Sequence, residues 1–131
     1  MADQLQFSYD ANLRALQIGF AAGWELRSAE DLALFSSELT RRCEGLKQRV
    51  HFFFDLTNLR VAAEVVEQFG EAKRGLCAQY ALSTWHFGGS LAERVMTRND
   101  LTRRGLRPNL FRNRSEALAA FLNGESNLER T

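Results

Sequence analysis

Proline is nearly absent from this chain, one residue in 131, and no Gly- or Ser-rich stretch or internal repeat accompanies it. That excludes an internal linker, and the length suits one domain with a proper core. A single domain over residues 1–124 is expected, with 125–131 as a tail. Cysteine is scarce as well. Cys43 and Cys77 stand alone, without CxxC spacing, as reduced thiols acting as small core residues would. The start, MADQLQF, lacks the basic and apolar regions of a signal peptide. No apolar run approaches the roughly 18 residues that span a bilayer. A cytoplasmic protein is the expectation. The nucleophile elbow GxSxG, the dinucleotide loop GxGxxG, the Walker loop and the zinc motif HExxH are all missing, so those chemistries lack their required parts. His51 and His86 are isolated from one another and form no metal-ligand spacing. The chain is expected to be non-enzymatic and to need no cofactor.

Net charge is close to nil, +1, which gives no overall pull towards nucleic acid or membrane. The two halves differ. Residues 1–70 carry 7 Lys/Arg against 10 Asp/Glu, and residues 71–131 carry 10 against 6. Between Arg94 and Arg114 there are seven arginines and one acid, Asp100. Arginine suits a bidentate grip on carboxylate or phosphate. Arg98, Arg103, Arg104 and Arg107 are the candidates for a docking face towards an acidic protein partner, an anionic head group or another copy of the chain. The plainer reading is a solvated helix and loop balanced by the acidic first half. Nucleic acid fits less well, because no aromatics are interleaved with the basic residues.

What is present is organised around Arg49 to Asn58, RVHFFFDLTN. A short, nearly unbroken run of Val and Phe ending at a turn reads as a strand buried on both faces, in the middle of a parallel sheet. Before it, Leu5–Tyr9 and Leu13–Phe20 alternate apolar and polar residues around Asp10-Ala11-Asn12, an antiparallel hairpin at the sheet edge. Ser28 caps a first helix whose stripe is Leu32, Phe35, Leu39, Cys43 and Leu46, with Gly45 as its stop. A second helix follows the central strand, with Ala62, Val65, Val66, Phe69, Leu76 and Tyr80 inward and Glu64, Glu67, Glu71 and Arg74 outward. Gly70 and Gly75 allow close approach to the sheet or a bend. Leu82–Phe87 is the next strand. Ser90 and Glu93 have capping-box spacing for a third helix that Gly105 and Pro108 end. Asn109–Arg112 is a last short strand, and Ser115 caps a final helix. The order β-β-α-β-α-β-α-β-α predicts an α/β fold. It is a single mostly parallel sheet of about five strands with an antiparallel N-terminal edge hairpin, covered by about four helices through right-handed crossovers.

That order resembles the STAS domains, the fold of bacterial anti-sigma-factor antagonists and of SpoIIAA-like proteins. Three segments carry the likeness: HFFFDLTNL, LSTWHFGGSLAERV and LFRNRSEALAAFL. It covers residues 5–122 and is structural rather than catalytic. In antagonist members a serine at the start of the second helix, in an Asp-Ser-Ser-Gly-like sequence, is phosphorylated. Here the corresponding residues, Arg60-Val61-Ala62-Ala63-Glu64, contain no hydroxyl. The departure favours the SpoIIAA-like branch, associated with binding small apolar ligands or partners. Thr57 is the nearest acceptor, and a turn hydroxyl usually bonds its own backbone. Glu64 carries a fixed negative charge where phosphate would sit, or is simply an exposed helical Glu.

The resemblance and the residues together give three expectations. The first is a regulatory module that docks a protein through the second helix and its preceding turn (Thr57, Asn58, Arg60, Glu64), or through the arginine face. The second is a binder of a small apolar or amphipathic ligand, with Trp24 and Trp85 at the mouth of a pocket between sheet and helices. His86, Gly89 and Ser90 lie at the carboxyl ends of the strands, where ligands of open α/β sheets collect. The amides at Gly89, Ser90 and Leu91 would accept an anion there, although a strand-to-helix turn needs glycine in any case. The third is anti-sigma-factor antagonism.

Overall fold

The computed structural model describes residues 4–103, 105 and 109–124, with the backbone alone for 91–93. Its elements run β1 (Leu5–Asp10), β2 (Ala15–Phe20), α1 (Ala29–Leu46), β3 (Val50–Asp55), a 3-10 turn (Ala63–Val65), α2 (Val66–Tyr80), β4 (Ala81–Phe87), α3 (Leu91–Arg103), β5 (Leu110–Phe111) and α4 (Arg114–Leu122). The sheet has the order β1-β2-β3-β4-β5. The first pair is antiparallel and the others are parallel. This is the expected α/β layout, with five strands and four helices.

The hairpin closes where Asp10 accepts the Leu13 amide through Oδ1 at 3.2 Å and Arg14 takes a left-handed conformation, φ 54°. From β2 onward each parallel strand is added on the same side of its predecessor. Right-handed crossovers then lay α1, α2 and α3 on one face of the sheet. Phe35, Leu39 and Cys43 of α1 and Phe69 and Leu76 of α2 share a core with Leu16, Ile18, Phe20, Phe52 and Phe54, and Met96 of α3 packs against it. The chain reaches the opposite face only with α4, whose Ala117 and Ala120 pack on Ala15, Phe53, Trp85 and Phe87. Phe52 and Phe54 point to one layer and Phe53 to the other, which is why the β3 run is apolar throughout.

The ends of several elements differ from the expectation. Gly45 does not stop α1. The helix runs to Leu46, and Lys47 closes it in a left-handed conformation (φ 58°), its amide donating to the Cys43 carbonyl. Ser28 is the N-cap as expected, accepting the Asp31 amide at 3.2 Å. Ser115 is not the cap of α4. Asn113 is: its Oδ1 accepts the Glu116 amide at 3.0 Å, and an Asn two residues earlier leaves Ser115 inside the helix. The last strand contracts to two residues. Among the described residues no helix is long and apolar enough to cross a membrane. Residues 125–131, expected as a tail, lie outside the described residues.

Candidate functional site

At the carboxyl end of β3 the chain makes a tight turn. Asp55 Oδ1 accepts the Thr57 hydroxyl at 2.6 Å and the Thr57 amide at 3.0 Å. The Thr57 hydroxyl is thus engaged within its own turn. Arg60 and Val61 then run beside Leu26: the Leu26 amide donates to the Arg60 carbonyl, and the Ala62 amide to the Leu26 carbonyl, both at 2.9 Å. Thr57 and Arg60 are exposed, Asn58 is half-buried, and Glu64 is exposed on the 3-10 turn. The turn after β4 lies against this one. Gly88 and Gly89 have φ of 72° and 91°, and a Cβ on Gly89 would come within 2.7 Å of Leu56 Cβ. The glycine pair is therefore required by packing between the two turns. Ser90 is exposed and its carbonyl accepts the Arg94 amide. The side chain of Glu93, its expected capping partner, lies outside the described residues.

The two tryptophans do not share a pocket mouth. Trp24 is half-buried against the core beneath α1 and α2. Trp85 is 1% exposed on the other face of the sheet, stacked on Phe53 at 6.0 Å and edge-on to Phe121 at 5.6 Å. Its indole N–H donates to Ser83 Oγ at 2.7 Å, and Ser83 Oγ lies 2.6 Å from His51 Nδ1. A β-bulge at this point pairs Val50 with Ala81 and His51 with Ser83. It sets Trp85 beside Phe53 and His86 beside Phe54. His86 is consequently not a rim residue. Its ring is 0% exposed and stacks on Phe54 at 5.3 Å.

His86 meets a partner that the sequence did not single out. Lys73 of α2 is 6% exposed, and its Nζ sits 2.7 Å from His86 Nε2 and 4.6 Å from the centre of the Phe54 ring. At that separation one of the two nitrogens donates to the other. The Phe54 ring face lies against the Lys73 nitrogen and favours a positive charge there. The signal lay in the helical spacing: Phe69, Lys73, Leu76 and Tyr80 step along one stripe, so a lysine occupies an inward position. In the string EAKRG it looks like one more solvated charge.

Lys73 lines a cleft between α2 and α3 with about 80 Å³ of water-sized space. Phe69, Met96 and the buried Thr97 contribute its walls. At the rim, Asp100 Oδ1 stands between Arg74 Nη2 at 3.5 Å and Arg103 Nη2 at 3.7 Å. Gly70 lets that carboxylate approach α2, since a Cβ there would touch Asp100 Oδ1 at 3.4 Å. The arginine series does not form one face. Arg112 grips Glu116 through two nitrogens at 3.0 and 2.7 Å, and Arg114 donates to Gln17. Hydrogen bonding to Arg112 is the main cause that lowers the Glu116 carboxyl below its ordinary value. Arg94, Arg98 and Arg103 lie on α3, with Arg98 and Arg103 exposed. Arg104 and Arg107 lie outside the described residues.

The thiols are as bland as expected. Cys43 is buried, and desolvation pushes it up to about 11. Among the described residues no group of three or more His, Cys, Asp or Glu is placed to hold a metal ion. Comparison with family models, with curated proteins and with solved structures found no match.

Proposed function

We propose that the chain is a non-enzymatic, cytoplasmic regulatory module of STAS-like, bacterial type that docks a protein partner over the α2–α3 face. One observation supports this above the others: the two candidate surfaces, the second helix and the arginine helix, border a common cleft. Its apolar walls and charged rim have the make-up of an interface patch, a desolvated centre with polar edges. The segment Thr57 to Glu64 leads into α2. Replacing Arg74 and Arg103 together with Glu should abolish partner capture by the tagged protein while its circular dichroism stays unchanged. Arg41→Glu on α1 makes the same charge change away from the cleft and should leave capture intact. Capture that survives the double replacement would move docking elsewhere.

A second reading, a small-ligand binder, is favoured by the buried Lys73, which lines that cleft with His86 behind it. In this reading the ligand lies between α2 and α3, on the sheet face opposite Trp85.

A further inference from the structure

Of the 17 lysine and arginine residues in the chain only two are lysines, Lys47 and Lys73. Lys47 is exposed at the end of α1. The other is 6% exposed and lines the cleft between α2 and α3. Arginine stays charged at any physiological pH, whereas a buried lysine can lose its proton and become a nucleophilic amine. His86 Nε2, 2.7 Å away, is placed to take that proton. Beyond the amine, the lining carries two guanidiniums, Arg74 and Arg103, alongside the carboxylates of Glu67, Glu71 and Asp100. Arg74 and Arg103 reach Asp100 at 3.5 and 3.7 Å, longer than an ordinary charge-assisted hydrogen bond. Each retains donors for a second carboxylate. A buried amine and a carboxylate grip at the rim, joined by a short apolar wall, match a small oxo acid.

We infer that Lys73 captures a small oxo acid as a reversible imine in the α2–α3 cleft, with Arg74 and Arg103 holding the acid's carboxylate. The chemistry balances within the site. Lys73 passes one proton to His86, and its free amine attacks the ketone or aldehyde carbon. The C–N bond forms as the carbonyl π pair moves to oxygen, which takes the proton held by His86. The carbinolamine then expels that oxygen as water after gaining a second proton, the one lost from nitrogen through His86. The nitrogen lone pair closes the C=N bond, and hydrolysis reverses every step. The site binds and releases; no further transformation of the acid is involved. This inference rests on the ligand-binding reading of the cleft and names its ligand class.

The test uses the intact protein with glyoxylate or pyruvate and cyanoborohydride at pH 7, followed by peptide mapping. Lys47 and the terminal amine act as internal references. Lys73 should be tagged ahead of Lys47 by about tenfold or more, because the rim holds the acid's carbonyl carbon against its amine. His86→Gln should slow tagging of Lys73 and leave Lys47 unchanged, and Lys73→Arg should remove the adduct while native mass spectrometry still finds the acid bound. Tagging confined to Lys47 and the terminus would overturn the imine. If the acid also raises the melting temperature in that case, the cleft still binds it without a covalent bond. If it does not, the ligand-binding reading falls as well.

Discussion

His51 shows how much a single residue's surroundings decide. Its ring sits under Phe121 at 4.7 Å with Nδ1 on Ser83 Oγ, and that oxygen already accepts the Trp85 N–H. Ser83 Oγ keeps a second lone pair and its own proton, so it pairs with His51 Nδ1 in either tautomer of the ring. Burial, with a smaller contribution from Arg14, lowers the tendency of His51 to protonate below its ordinary 6.5. The unfolded chain then takes up a proton before the folded one. Stability is full above about 6.5 and declines as pH falls from there towards the folded-state value. Urea midpoints measured at pH 7.5 and 5.5 should show this loss, and His51→Gln should shrink it. An unchanged midpoint would show that the ring accepts its charge without cost. Asp31, lowered chiefly by the Arg27 amide, acts only in a more acidic window, below its ordinary 3.8.

Among the elements, the two kinds of glycine behave oppositely. Gly75 lies within α2 with nothing within 4 Å of where a Cβ would stand. Gly75→Ala should stabilise by about 0.5–1 kcal/mol through helix propensity, raising the melting temperature a few degrees. Gly89 has φ 91° and Leu56 Cβ 2.7 Å from its missing Cβ. Gly89→Ala should cost about 1–3 kcal/mol and separate the two turns at the strand ends. Thermal unfolding of both variants checks the pair, and equal effects would contradict the packing account. Helix and strand identities were legible because their periods are written in the chain: alternation in β1 and β2, the stripe of α1, the continuous apolar run of β3. Helix ends were less so, since a cap depends on which of several polar residues the backbone presents. Asn113 prevailed over Ser115, and Lys47 over Gly45, on that basis.

For the whole molecule, the governing fact is the division of the sheet into two unequal faces. Three helices cover one and α4 covers the other, so the tryptophans report on separate cores. Acrylamide should quench Trp24 readily and Trp85 hardly at all, and the emission of a Trp24→Phe variant should be nearly unquenched. A readily quenched Trp85 would mean that α4 does not seal its face. The charge asymmetry between the halves is also resolved at this scale. Arg112 and Arg114 are committed to Glu116 and Gln17 within the fold, while Arg98 and Arg103 remain exposed on α3, with Arg103 at the cleft.

The order of elements, their approximate limits and the mostly parallel sheet could be read from the residues alone, because local periodicity and short crossovers constrain these directly. The residues also marked α2 and the arginine helix as surfaces of interest. Only the tertiary structure decided what faces what. The bulge between β3 and β4 and the turn of α2 bring Lys73 onto His86, thirteen residues away, and put the sheet between Trp24 and Trp85. Those outcomes depend on strand register and helix azimuth. Both are settled by packing the two cores together, and no run of neighbouring residues records them.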